Sequence, residues 1–234
     1  MRTWLERYSS TDCQSLCVDT YFKLLKNKMV LTVGATPTAT AAQNMLSGSP
    51  RAAEFKTLLN RLKEFYTVEL HAGVYPLLDM QQVATHARPT SGRASLTKES
   101  VGIKVLLEVS SVYDERDQPE ALASAGSLAL GREPCKSYPG WGIVTGELGN
   151  KGAMVYDERG DKTGWIVGKI SQEHGILRWE GAKDKVKPLE IGSKILVWPN
   201  HACVAGAGFG WYLVVDSEKG GDTVVDVWVR WRGW

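Results

Sequence analysis

Pro199-Asn200-His201-Ala202-Cys203 sets an imidazole and a thiol two residues apart, after the apolar run Ile195-Leu196-Val197-Trp198 and before the glycine-rich bend Gly206-Ala207-Gly208. In an extended segment, residues i and i+2 project to the same side, so His201 and Cys203 can converge on one ion while Ala202 faces away. A soft thiolate beside an imidazole suits zinc better than magnesium or calcium. The spacing alone equally fits Cys203 as a small core residue with His201 as its hydrogen-bonded neighbour. The expectation is a strand end that carries a metal site.

Two glycine turns form a second set. Gly34-Ala35-Thr36 and Gly73-Val74-Tyr75 each follow a predicted strand, the position where parallel sheets place ligand-binding loops. Glycine lets backbone N–H groups approach a phosphate, and a threonine hydroxyl adds a donor; either triplet also serves as an ordinary turn. His174, in Gln172-Glu173-His174-Gly175, is a candidate for hydrogen bonding near a metal or substrate, or a structural turn residue. His71 closes a strand beside Gly73 and has the same two readings, whereas His86 has no informative context.

The elements that must position these residues follow from periodicity. Cys13, Leu16, Cys17, Tyr21, Leu24 and Leu25 recur at helical intervals over 11–27, which assigns the two cysteines to a buried stripe. Met29 to Val33 reads as a strand buried on both faces, and Ser49 and Pro50 start a helix with Phe55, Leu58, Leu59, Leu62 and Phe65 on one face. Thr67 to His71 is the next strand, giving a βαβ unit and so a parallel sheet. Arg88-Pro89-Thr90-Ser91-Gly92-Arg93 is a turn-rich connector. Beyond it come strand candidates at Val101–Val112, Gly142–Val144, Ala153–Tyr156, Trp165–Ile170, Ile176–Trp179, Lys194–Trp198, Trp211–Val215 and Val224–Trp231, with an irregular or briefly helical stretch around Pro119 to Leu130. Their spacing predicts a closed or nearly closed β-barrel, with the eight tryptophans from Trp141 onward filling its core and rim.

The net charge of +2 comes from interspersed cations and anions, which argues against a nucleic-acid footprint. No apolar run is long enough to span a bilayer, and four irregularly placed cysteines do not form a disulfide framework. The expectation is a soluble, cytoplasmic protein.

The pentapeptide, followed by Gly210-Trp211-Tyr212-Leu213-Val214-Val215-Asp216 and Val227-Trp228-Val229-Arg230-Trp231-Arg232-Gly233-Trp234, resembles the C-terminal domain of eukaryotic D-serine dehydratases. The resemblance extends through Leu107-Glu108-Val109, Glu133-Pro134-Cys135, Gly140-Trp141-Gly142 and Ile170-Ser171-Gln172-Glu173-His174-Gly175, and upstream to Gly34-Ala35-Thr36-Pro37-Thr38 and Glu69-Leu70-His71-Ala72-Gly73.

What it implies is an α+β chain: the last part of an alanine-racemase-like (β/α) barrel over residues 1–90 and an all-β D-serine dehydratase-like domain over 91–234. It further implies pyridoxal 5′-phosphate, its phosphate cradled at Gly34, Ala35, Thr36, Gly73, Val74 and Tyr75, and zinc on His201 and Cys203. The implied reaction is β-elimination of D-serine to pyruvate and ammonia, with a homodimer as the form in which family members commonly occur. Two departures stand out. The polar residue usual at position 74 is Val74, and the basic motif with the Schiff-base lysine is absent; Lys23, Lys26 and Lys28 sit in a helical context and do not inherit its role. The expectation is therefore a family member impaired in catalysis. A metal-dependent D-threonine aldolase type of reaction is the enzymatic alternative, disfavoured because an aspartate tends to replace the cysteine there. A non-catalytic β-barrel interaction module is the other.

Overall fold

The structure, a computed structural model, describes residues 28–45, 50–86, 96–148 and 155–232. The helix expected over 11–27, with Cys13, Cys17, Lys23 and Lys26, lies outside those residues, as does the connector Arg88 to Arg93. The chain separates into two compact units, Met1–Ala72 and Gly73–Trp234. This division falls earlier in the chain than the connector, because Met80 and Val83 pack into one buried cluster with Ile143 and Trp198 of the β domain.

In the first unit, β1 (Met29–Gly34) runs parallel to β2 (Tyr66–His71), in a register from Met29 opposite Tyr66 to Gly34 opposite His71. Helices α1 (Thr36–Met45) and α2 (Pro50–Phe65) make the crossover. Pro50 suits the first helical position because its fixed φ is helical and its missing N–H would have no partner there. At the other end of α2 the Lys28 ammonium donates to the Lys63 carbonyl, one of the last-turn acceptors a helix leaves open. That bond gives Lys28 a capping role. The expected burial of β1 on both faces does not occur: Val30 is 53% and Leu70 of β2 is 48% exposed. Two strands and one crossover cannot cover both faces of a parallel sheet. α1 escapes a periodicity reading because Thr36, Thr38 and Thr40 are poor helix formers around Pro37.

The second unit is a closed, all-antiparallel barrel of six strands in the order β3-β4-β7-β6-β5-β8. These strands are β3 (Val105–Tyr113), β4 (Glu120–Ala123), β5 (Gly142–Glu147), β6 (Gly164–Ile170), β7 (Gly175–Glu180) and β8 (Lys194–Pro199). Strict alternation drives closure. Val105, Leu107 and Val109 are buried while Leu106, Glu108 and Ser110 face out, and Leu177 and Trp179 join Ile195 and Val197 in the same cluster. Trp165 and Trp179 meet edge to face at 5.6 Å, and their indole N–H groups donate to the Lys187 and Ala182 carbonyls, so the bulk is buried without orphaned donors. β4 occupies part of the stretch read as irregular; its four residues are too short to show a period. Val155 and Tyr156 are not in a strand, and Ala153 lies outside the described residues.

Three short helices attach to this barrel: α3 (Met80–Ala84), α4 (Ser127–Leu130) and α5 (Ala202–Ala207). β9 (Trp211–Val215) and β10 (Val224–Val229) form a separate antiparallel hairpin with exposed apolar residues on both faces, including Trp211, Val227, Trp228 and Val229. Among the described residues no helix is long and apolar enough to cross a membrane.

Candidate metal centre

β8 carries the pentapeptide to the barrel end. Ile195 and Val197 pack into the lumen cluster, and the last ladder pair is Gly142 with Pro199. There the extended geometry expected for His201 and Cys203 stops. His201 keeps an extended backbone (φ −135°, ψ 107°), but it is the residue that precedes α5, and Cys203 lies in the first turn of that helix. The reason is local: the His201 carbonyl accepts from Ala205 N at 3.1 Å, and the small residues Ala202 to Ala207 wind readily into a turn. Imidazole and thiol are thus neighbours at a strand-to-helix junction instead of on one strand face. His201 is half-buried and Cys203 is a free, exposed thiol.

Two buried side chains pin this junction. Asn200, 1% exposed, donates from Nδ2 to the carbonyls of Glu133 (2.9 Å) and Gly140 (2.8 Å), accepts from the Tyr138 hydroxyl at Oδ1, and takes Gln81 N on its own carbonyl at 3.1 Å. Asp79, fully buried, accepts Gln82 N on Oδ1 and Ala202 N on Oδ2, each at 2.9 Å. It is the N-cap of α3 and simultaneously holds the first amide of α5. Burial pushes the Asp79 carboxyl up, while the amides of Ala202 and Gln82 and the nearby His201 pull it down. Burial also pushes the Cys203 thiol up, and the Asp79 charge adds to that.

The preceding residue, Leu78, sits at φ 58°, a left-handed conformation that is a genuine outlier for a branched side chain. Leu78 N bonds to Val74 O and Gly102 N to Leu77 O, both at 2.7 Å, and the Leu78 side chain is buried. The surrounding contacts hold the strain, which aims Asp79 into the junction.

The second glycine turn belongs to the same place. A methyl group on Gly73 would lie 3.4 Å from Cys203 Sγ, so the turn passes directly beside the thiol. Gly73 and Tyr75 are exposed and the Val74 side chain is buried. In the first unit Gly34 and Ala35 are exposed, Ala35 N bonds to His71 O at 3.1 Å, and Thr36 begins α1. The first glycine turn therefore leads directly into a helix N-terminus, with the Ala35 amide already engaged. His71 is exposed and 3.2 Å from Glu69.

His174 lies in an exposed turn whose carbonyl accepts both the amide and the hydroxyl of Ser171. That turn is tied to α4, since Ser127 N and Leu128 N donate to the Ser171 and Gln172 carbonyls. Gly208, at the end of α5, has no room for a side chain because a Cβ would fall 2.6 Å from Leu128 O. The His174 turn is therefore joined through α4 to the helix that carries Cys203. His86 is structural: Arg159 bridges its Nδ1 (2.9 Å) and the Val83 carbonyl (3.1 Å).

Asp79, Tyr138 and the side chain of Asn200 escape a reading based on spacing between potential ligands. Asp79-Met80-Gln81-Gln82 does carry a capping signature, an acidic N-cap with glutamine three residues on. Among the described residues no three His, Cys, Asp or Glu side chains converge, and His201 and Cys203 are the imidazole and thiol that the junction carries. These donors fit zinc, and a four-coordinate ion held by them keeps two positions for water or substrate.

Residues 102–215, from the approach to β3 through β9, match the family profile described as "Putative serine dehydratase domain". The D-serine dehydratase of Schizosaccharomyces pombe is 35% identical over 211 residues, covering 88% of this chain and 41% of that protein. The chain belongs to the eukaryotic D-serine dehydratase family. It spans about two-fifths of the length of the curated dehydratases it matches.

Among solved structures, the D-threo-3-hydroxyaspartate dehydratase of Delftia sp. HT23 superposes with a TM-score of 0.56 at 26% identity, covering 88% of this chain and 45% of that one. Structures of that enzyme include a variant with a histidine replaced by alanine and a metal-free variant with the cysteine two residues further on replaced by alanine. An alanine-racemase-like protein of Idiomarina loihiensis shares the fold, with a TM-score of 0.58 at 21% identity over 93% of this chain and 47% of its own. The α+β architecture with an all-β barrel is thus that of this dehydratase family.

Proposed function

We propose that the chain forms the metal-bearing part of a zinc- and pyridoxal-phosphate-dependent D-serine ammonia-lyase, which eliminates the β-hydroxyl of D-serine and releases pyruvate and ammonia. The observation that carries the reading is the His201–Cys203 junction, held by Asp79 and Asn200 and flanked by the Gly73 turn. The histidine and cysteine altered in the D-threo-3-hydroxyaspartate dehydratase structures are spaced as His201 and Cys203 are, and the cysteine variant is described in a metal-free form, which supports a metal at this junction.

His201 and Cys203 would hold the ion, which supplies Lewis-acid polarisation of the substrate hydroxyl. The coenzyme supplies an electron sink for the charge left when the α-proton is removed. Gly34, Ala35 and Thr36 in one unit, and Gly73, Val74 and Tyr75 in the other, would give backbone donors to its phosphate, Val74 through its backbone alone. His174, in its exposed turn, would hydrogen-bond near the metal or substrate. The substrate is a small D-amino acid, and the free thiol at Cys203 supports work in the reducing cytoplasm. The exposed apolar hairpin β9–β10 supports assembly as a homodimer.

No Schiff-base lysine motif occurs in these 234 residues, so elimination by the chain on its own is expected to be impaired. The test supplies the purified protein with zinc, pyridoxal phosphate and D-serine, follows pyruvate, and treats parallel samples with borohydride to trap a lysine-bound coenzyme. Zinc retention without appreciable pyruvate is the predicted result. Robust turnover with a trapped lysine would contradict the impairment, and failure to bind zinc would contradict the metal reading.

A further inference from the structure

We infer that Asp79 is a positioning residue for the His201–Cys203 pair, orienting it through the Ala202 amide. The inference rests on the zinc reading above.

A fully buried carboxylate is costly to keep unless it is hydrogen-bonded or paired. Capping α3 does not explain the choice of residue, because serine and asparagine cap a helix about as well as aspartate. Aspartate differs from both in having a second acceptor oxygen, and that oxygen is used here. Oδ1 caps α3 through Gln82 N, whereas Oδ2 takes Ala202 N, the amide of the residue between the two ligands. Each oxygen already accepts one buried amide. The strained Leu78 backbone immediately upstream fixes the direction from which the carboxylate arrives. Outer groups that hold ligands in place by hydrogen bonds orient them and tune a bound metal; here the carboxylate acts through the amide of the residue between the two ligands.

Asp79→Asn keeps an oxygen for Gln82 N but places an amide nitrogen, which cannot accept, toward Ala202 N. Asp79→Ser keeps only the capping oxygen. Zinc affinity is measured on the full chain by competition with a chromophoric chelator, beside thermal unfolding of the metal-free protein. The expected result is a loss of about ten- to a hundredfold in zinc affinity in both variants while the helices remain folded. Affinity within about twofold of the parent overturns the inference and leaves Asp79 a helix cap. Asp79→Ser carries the measurement should the asparagine variant fail to fold. If the parent binds zinc, His201→Ala loses it and both Asp79 variants retain it, only the role of Asp79 falls. If the parent itself binds no zinc, the metal reading falls and this inference with it.

Discussion

The amide of Ala202 donates to Asp79 Oδ2 at 2.9 Å across 123 residues of sequence, and this bond joins the turn after β2 to the strand-to-helix junction that carries both candidate ligands. Removing the carboxylate leaves two buried donors, Gln82 N and Ala202 N, without partners. Asp79→Ala should therefore cost about 2–4 kcal/mol, the sum of a lost cap and an unsatisfied buried amide. Urea unfolding of parent and variant measures it. A cost below about 0.5 kcal/mol would mean that water replaces both bonds.

Tyr138 and Asn200 make the second tie, and it has a pH signature. Burial, more than any other influence, raises the Tyr138 hydroxyl well above its ordinary value, so the folded protein favours the neutral phenol. A group raised in the folded state contributes stability that is full below its unfolded value and is lost as pH climbs toward the folded one. Stability should accordingly begin to fall near pH 10, the ordinary tyrosine value. Tyr138→Phe should be less stable at neutral pH by about 1–3 kcal/mol, because Asn200 Oδ1 loses its donor. The variant should also show a flatter alkaline limb than the parent. Parallel alkaline limbs would show that Tyr138 does not govern this region.

Exposed strands make the first unit the weaker one. β1 and β2 pair only with each other in the described residues and expose Met29, Val30 and Leu70, while the barrel closes on itself without free edges. Limited proteolysis should cut within Met1–Ala72 first and leave a resistant fragment starting near Gly73, since cleavage follows local opening. Equal resistance of both units would contradict this.

The barrel is legible in the sequence because period-two alternation survives in β3, β7 and β8, where Val105, Leu107 and Val109 or Leu177 and Trp179 mark the inward face. The pentapeptide is legible because His and Cys two residues apart are few and chemically specific. Its backbone is not: Gly206 and Gly208 announce a bend, yet α5 forms, because the Ala205 amide closes a helical turn on the His201 carbonyl and the Asp79 carboxylate, from far along the chain, takes the Ala202 amide. Burial of β1 is misjudged for a related reason, as an apolar run records what a strand is suited to face and not what covers it.

The most direct measurement is the zinc content of the purified chain, set beside that of His201→Ala, Cys203→Ala and the double variant. The account predicts about one zinc per chain in the parent, a large loss in each single variant and none retained by the double variant, with the barrel still folded by near-ultraviolet circular dichroism. Undiminished zinc in the double variant, or a parent that binds none under zinc-replete conditions, would contradict it.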